Sequence, residues 1–113
     1  MYGENVQGKL TLGENIADIG GMKISFAALK KFYKDQNIDI FAKPGSENGV
    51  CKNANLPDDH YRNLYSPAQI VFFSWARVWC IHISKDEAIK RLTTDVHSPA
   101  IFRTNIILSL IHI

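Results

Sequence analysis

Ser66-Pro67-Ala68-Gln69-Ile70-Val71-Phe72-Phe73-Ser74-Trp75-Ala76-Arg77-Val78-Trp79-Cys80-Ile81-His82-Ile83 is the stretch on which the fold turns. It opens with an N-cap serine, a proline at the first helical position and a glutamine three residues after the cap. Proline has no N–H to leave unsatisfied there, and the glutamine side chain can reach back to the N–H of the cap. The pattern predicts a helix from Pro67 to about Ile83. Its apolar residues surround the axis instead of lining one side, so it requires cover all round. Gln69, Ser74, Arg77 and His82 interrupt the run, which falls short of the roughly 20 apolar residues a bilayer span needs. It therefore reads as a buried helix of a soluble domain, with Arg77 as a paired core residue.

Downstream, Ser84-Lys85-Asp86-Glu87 is a second capping box, opening a shorter amphipathic helix through Ala88, Ile89 and Leu92. Ser98-Pro99 marks a third start, ahead of Phe102 and Arg103. Upstream, Asp35 to Tyr65 loses periodicity to Asp, Asn, Gly, Pro and Ser. A run that long is either a surface excursion supported by a larger body or a loop with short turns of its own. Before it, Ile16, Ile19, Met22, Phe26, Leu29 and Tyr33 recur at spacings of three and four, predicting a helix from Leu12 to about Lys34. Lys23, Lys30 and Lys34 share its solvated face. Gly20-Gly21 each cost about 1 kcal/mol against Ala, which predicts a close neighbour there. The fold class is mainly α with one long irregular loop, and no internal repeat is present.

The 113 residues, 46% hydrophobic and 21% charged, exclude disorder, collagen and low complexity. Thirteen Lys+Arg against eleven Asp+Glu leave a net charge of +2, too small and too evenly spread to call for a nucleic acid or an anionic membrane. Cys51 and Cys80 have no metal-ligand spacing, and two cysteines make no disulfide scaffold. Met1 to Asn5 carry no targeting pattern. The apolar content has a further consequence. One long helix and two short ones do not cover an all-round apolar helix while two Trp and six Phe also seek burial, because a chain of this size buries only about two-thirds of its unfolded surface. More polypeptide is implied.

Few polar residues suggest chemistry. Glu14 and Asp18, four apart, share a helix face with the small Gly21 and Ser25. The macrodipole alone explains acidic residues near a helix N-terminus, and a paired-carboxylate site is the sharper reading. Asp95 stands two residues before His97 ahead of a helix start. In an extended segment the two side chains leave on one side, so that Asp95 orients His97 or favours its charged form; a plain helix-entry turn is the other reading. Arg103, the only cation in Ala100 to Asn105, is either a surface residue or a two-donor clamp for a carbonyl or carboxylate. His60 reads as a loop residue and His82 as a helix-end residue.

Gly8-Lys9-Leu10-Thr11-Leu12-Gly13-Glu14-Asn15-Ile16-Ala17-Asp18-Ile19-Gly20-Gly21 resembles the third zinc-ligand segment of the neprilysin and endothelin-converting-enzyme family of zinc metalloendopeptidases. Phe72 to Cys80 is similar to that family's penultimate helix. Thr94-Asp95-Val96-His97-Ser98-Pro99 with Phe102-Arg103-Thr104-Asn105 is similar to its C-terminal substrate-stabilising segment. The resemblance covers residues 1 to 105 and implies the C-terminal helical part of a zincin-like, gluzincin-type catalytic domain.

By that resemblance Glu14 is a zinc ligand, and Asp18 is an acceptor that orients a zinc-bound histidine. His97 donates to the oxyanion of the tetrahedral intermediate, Asp95 supports His97, and Arg103 holds a substrate backbone carbonyl. The implied cofactor is one zinc ion per parent enzyme, the implied partners are peptide substrates and the N-terminal remainder of the same chain, and no nucleic acid is called for. Contact with a membrane would come only through an N-terminal anchor outside this sequence, in a parent that is a cell-surface ectoenzyme or a secreted protein.

The family's H-E-x-x-H helix has no counterpart among these residues. The chain alone is therefore expected neither to bind catalytic zinc, which takes at least three protein ligands, nor to cleave peptides. Cys80 matches a family cysteine whose partner lies N-terminal to this segment, so it is expected unpaired; Cys51 has no family counterpart. Residues 106–113 do not fit the family pattern. They read either as a buried terminal strand or, over Leu108-Ser109-Leu110-Ile111-His112-Ile113, as the translation of a sequencing-library adapter, CTG TCT CTT ATA CAC ATC. The reading from another functional class is a non-catalytic helical binding protein that reuses the scaffold. A reading frame continuous upstream of Met1 and encoding H-E-x-x-H favours the enzyme, and a stop codon there favours the other.

Overall fold

The structure, a computed structural model, describes residues 3–109. Five helices follow one another: α1 (Gly8–Lys34), α2 (Tyr61–Leu64), α3 (Pro67–Val78), α4 (Lys85–Thr94) and α5 (Ala100–Ser109), with no strand among the described residues. The chain divides into two compact units. One comprises residues up to Met22 together with those from Ala76 onward, and the other Lys23–Trp75, so that α1 and α3 each give a part to both.

In the Lys23–Trp75 unit the end of α1 is set by Asn37, whose φ of 59° places it in the left-handed region. Asn37 N–H donates to Lys34 O and Ile38 N–H to Tyr33 O, each at 3.0 Å, which satisfies the last carbonyls in a Schellman motif. The loop that follows is built from short turns. Asp39 N–H donates to Asn48 O and Gly45 N–H to Val50 O, both at 2.8 Å, while the side chains of Asp39 and Asn53 accept from the N–H two residues on. Asn63 ties the loop to α2. Its Oδ1 accepts from Asn53 N–H at 2.8 Å, and its Nδ2 faces the carbonyls of Asn53, Leu56 and Pro57 at 3.1–3.3 Å. Of the two readings of this stretch, the loop with turns of its own is the one realised.

The capping box of α3 forms as its residue types require. Gln69 N–H donates to Ser66 Oγ at 3.3 Å and Ser66 N–H to Gln69 Oε1 at 3.0 Å. Ala68 N–H donates to Ile40 O at 3.0 Å, and Ile40 and Ala68 are buried. Phe26 packs against Phe41 and Phe72 with ring centroids 6.1 and 5.4 Å apart. Gly49 sits where a Cβ would lie 2.2 Å from Lys43 O and 2.7 Å from Ser46 Oγ. Gly49→Ala must therefore open the 43–49 turn, and is expected to cost roughly 1–3 kcal/mol in urea unfolding. A change below about 0.5 kcal/mol would show that the turn yields freely.

In the other unit, α1 starts at Gly8, four residues before the position expected, because Gln7 O already accepts from Leu10 and Thr11 N–H at 3.0 and 3.2 Å. Gly20 and Gly21 have no neighbour within 4 Å of a built Cβ, so the close packing expected of them is not supplied by the described residues. Helix α3 stops at Val78, five residues short of Ile83. Residues 79–83 leave the helix through a tight turn, with Ile81 N–H on Trp79 O at 2.9 Å, and run towards Ser84, whose N-cap position demands an extended backbone. Ser84 Oγ accepts from Glu87 N–H at 3.3 Å, and Ala88 and Leu92, four apart, bury one face of α4.

Helix α5 begins one residue after Pro99 and runs to Ser109, with Arg103 and Ile107 buried on one face. Ile106 to Ser109 are thus helical, which rules out the terminal-strand reading for them; Leu110 to Ile113, the rest of the adapter-like segment of the other reading, lie outside the described residues. Arg77 is exposed in the last turn of α3, where a cation suits the helix dipole, and is not the core residue expected.

Among the described residues, hydrophobic burial is scant. Only Ile40, Ala68, Ala88, Leu92 and Ile107 form the buried apolar core, while thirteen large hydrophobic residues are exposed, among them Ile16 and Ile24 of α1, at 60% and 75%. Ile16 had been assigned to the core face. None of the helices is long and apolar enough to cross a membrane, among the residues described.

Candidate active site

Every residue singled out for chemistry lies in the unit formed by residues up to Met22 and from Ala76. Glu14 and Asp18 project from α1, one turn apart. Asp95 and His97 lie in the short connection from α4 to α5, and Arg103 is on the first turn of α5. They meet in two groups.

The first group is centred on the His97 imidazole. Asp95 closes α4 as its C-cap, its own N–H donating to Arg91 O. From there its Oδ1 accepts the backbone N–H of His97 at 2.9 Å and lies 2.8 Å from His97 Nδ1. A carboxylate only accepts, so Nδ1 carries the proton in this contact. Of the readings of Asp95-x-His97, the helix-entry turn and the oriented imidazole therefore coexist in one loop. The opposite nitrogen, Nε2, lies 3.4 Å from Glu14 Oε2, an ion pair when the ring is protonated, and both side chains are nearly half exposed.

The hydrogen bonds from the His97 N–H and then from its ring hold the Asp95 carboxyl below the ordinary carboxylate range. A depressed folded-state pKa adds stability above the unfolded value of about 3.9 and loses it as pH falls through the folded one. The main titration step of the Asp95 carboxyl-carbon resonance is therefore expected below about pH 3.9, the value of a free aspartate. A main step centred above about pH 5 would contradict this.

The second group is buried. Both oxygens of Asp18 accept from Arg103, Oδ2 from Nε and Oδ1 from Nη2, each at 2.5 Å. The Arg103 side chain is 5% exposed and that of Asp18 12%. The guanidinium carbon lies 3.7 Å from the centroid of the Trp79 ring. Arg103 is thus no surface residue, because a bidentate carboxylate offsets the cost of taking its charge out of water.

A cavity of about 360 Å³ opens beside both groups, lined by Trp79, Ile81, Ile83, His97 and Arg103 among others. Trp79, Ile81 and Ile83 line it together because the chain leaves α3 through the tight turn at Cys80, with Ile81 N–H on Trp79 O, instead of continuing the helix. A helix to Ile83 would have scattered them. Trp79 is the site residue that spacing did not single out, although it sits inside the Phe72–Cys80 motif. Arg91 lines the same cavity, its Nε donating to Glu87 at 2.8 Å. Cys51 and Cys80 are free, exposed thiols, and His60 caps α2 by accepting from Arg62 N–H.

Zinc tests poorly against these residues taken alone. Glu14 and Asp95 approach opposite nitrogens of one imidazole, so the three form a line and do not converge on a point. No group of three His, Cys, Asp or Glu among the described residues could hold a metal ion. The arrangement instead offers one half-exposed carboxylate, one oriented imidazole and one fixed guanidinium around a largely apolar cavity.

The model of peptidase family M13 matches residues 1–112 of the chain. Among curated proteins, the chain is 35% identical over 103 residues to Neprilysin-3 of Drosophila melanogaster, covering 91% of this chain and 11% of that protein. It is 38% identical over 104 residues to Neprilysin-11 of Caenorhabditis elegans, covering 92% and 10%. To Endothelin-converting enzyme 1 of Bos taurus it is 38% identical over 103 residues, covering 91% and 11%. The chain therefore spans about a tenth of the length of the curated relatives it matches. No solved structure matches it at a significant level.

Proposed function

The chain belongs to peptidase family M13, and from that premise we propose that it is the C-terminal part of the catalytic domain of a zinc metalloendopeptidase that hydrolyses peptides at the cell surface or outside the cell. The observation that carries this is the meeting of Glu14, Asp95 and His97 in one group and Asp18 with Arg103 in another, with Asp95, His97 and Arg103 lining one cavity.

In this reading Glu14 gives the parent enzyme one zinc ligand, and upstream chain gives the others. Asp18 faces a ligating histidine with the lone pairs that Arg103 leaves free. Zinc, when bound, polarises the scissile carbonyl and activates a water. His97, held by Asp95 through Nδ1–H, donates through Nε2 to the oxyanion in its imidazolium form, which carries a proton on both nitrogens, and a preset donor needs no reorganisation in the transition state. Arg103, fixed by Asp18, turns its remaining N–H donors to a substrate carbonyl. The exposed apolar residues, and the Asn15 Oδ1 that is buried with no hydrogen-bond partner among the described residues, support the inference that further chain of the same polypeptide covers this surface. The 113-residue chain alone is accordingly taken to be inactive.

The test replaces the matching segment of the bovine endothelin-converting enzyme with residues 1–105 and measures bound zinc and endothelin conversion. Both are expected to persist, and Glu14→Gln in the chimera should remove zinc and at least about 100-fold of the activity. A folded, active chimera indifferent to Glu14→Gln would sink the assignment. So would stoichiometric, Glu14-dependent zinc binding by the 113-residue chain sink its proposed inactivity.

A further inference from the structure

We propose that Trp79 is a positioning residue for Arg103: its indole face sets the plane of the guanidinium whose Nε–Nη2 edge Asp18 holds, at the wall of the cavity that both Trp79 and Arg103 line. This rests on the reading of Arg103 as a peptide-carbonyl donor and adds a residue to it.

The guanidinium is planar, and two constraints are needed to fix a plane. The bidentate contact with Asp18 fixes the Nε–Nη2 edge and by itself restrains tilting of the plane about that edge only weakly. The Trp79 ring, 3.7 Å from Arg103 Cζ, supplies the second constraint, because a cation held over an aromatic face is attracted along the ring normal. With Arg103 95% removed from solvent, the attraction is little screened. Trp79 owes its place to the early end of α3. As the first residue of the 79–83 segment it leaves the helix, and it lines the same cavity as Arg103. One side chain thereby shapes the apolar wall of the cavity and sets the angle of the cation at its edge. Phenylalanine keeps a face for stacking and leucine does not, so the two substitutions separate the role of the ring from that of bulk.

The experiment follows the Arg103 Nε–H resonance by NMR in the 113-residue chain, with Trp79→Phe and Trp79→Leu variants. In the unsubstituted chain the signal is expected to be displaced upfield by the indole ring current and to exchange slowly with water. Trp79→Phe should keep slow exchange within about threefold. Trp79→Leu should speed exchange at least tenfold and abolish the ring-current displacement while the α4 amide signals stay in place. Unchanged Arg103 signals in Trp79→Leu overturn the proposal. If that variant fails to fold, an undisplaced Arg103 signal in the unsubstituted chain overturns it equally, and a displaced one that Trp79→Phe preserves in part supports it. Adding a blocked dipeptide amide separates the two layers. Arg103 signals that ignore the peptide while still responding to Trp79→Leu remove the carbonyl-donor reading and leave the Trp79–Arg103 coupling standing.

Discussion

Arg103→Ala is expected to lower the stability of the chain by about 3–5 kcal/mol, the largest effect of any single substitution considered. Arg103 and Asp18 are 85 residues apart in sequence, and their paired hydrogen bonds join α5 to the N-terminal half of α1. Removing the guanidinium leaves the Asp18 carboxylate 12% exposed without its counter-charge, removes the partner of the Trp79 ring and opens a void. Domains of this size hold about 5–15 kcal/mol in total, so a large fraction is lost. Thermal unfolding followed by far-UV circular dichroism should fall by well over 10 °C. Asp18→Leu combined with Arg103→Met should recover most of the loss, because a buried ion pair exchanged for apolar groups of similar volume is often neutral in stability. An Arg103→Ala loss below about 1 kcal/mol would mean that the pair contributes no more than a surface ion pair does.

Asn63→Ala should be the second largest, at roughly 2–4 kcal/mol, and it should act on the Lys23–Trp75 unit. One 4% exposed amide accepts the Asn53 N–H and faces the carbonyls of Asn53, Leu56 and Pro57. Alanine leaves the Asn53 N–H and the Leu56 carbonyl without these partners, while the Asn53 and Pro57 carbonyls keep the N–H groups of Leu56 and His60, and each unsatisfied group shielded from water costs about 1–3 kcal/mol. Asn63→Asp separates the two halves of the amide. It keeps the acceptor for Asn53 N–H but turns a carboxylate towards the carbonyls, so it should be at least as damaging at neutral pH. Hydrogen exchange at the Asn53 amide reports the effect locally. An Asn53 amide equally protected in Asn63→Ala would contradict the assignment.

Where local chemistry decides the outcome, the residues announce it. Ser66-Pro67-Ala68-Gln69 makes its reciprocal capping box, Ser84 caps α4 through its hydroxyl while the Glu87 side chain turns to Arg91, and Ile19, Met22, Phe26, Leu29 and Tyr33 of α1 are half-buried. The end of α3 is hidden in the sequence because its apolar run continues past the helix. Nothing in Cys80-Ile81-His82-Ile83 breaks a helix outright, and the extended backbone required at Ser84 reaches back only once α4 has formed. Ile16 and Arg77 depart from the pattern for the opposite reason. An apolar or paired position in a periodic pattern states a preference for burial, and the described residues do not provide the cover.

The sequence by itself determined four of the five helices, without α2 or the end of α3, the turn at Asp95-x-His97 and, through three motifs in order, the family. These depend on neighbours within a few residues or on residue identity. The tertiary structure alone decided that Asp18 meets Arg103, that Glu14 meets His97 and that Trp79 lies against the guanidinium. Contacts across 24 to 85 residues leave no periodic signal, because their energy appears only when the chain has closed the loop between them. Arg103 shows this most plainly: its residue type allows a surface cation or a clamp, and burial against a carboxylate and a ring made it the clamp.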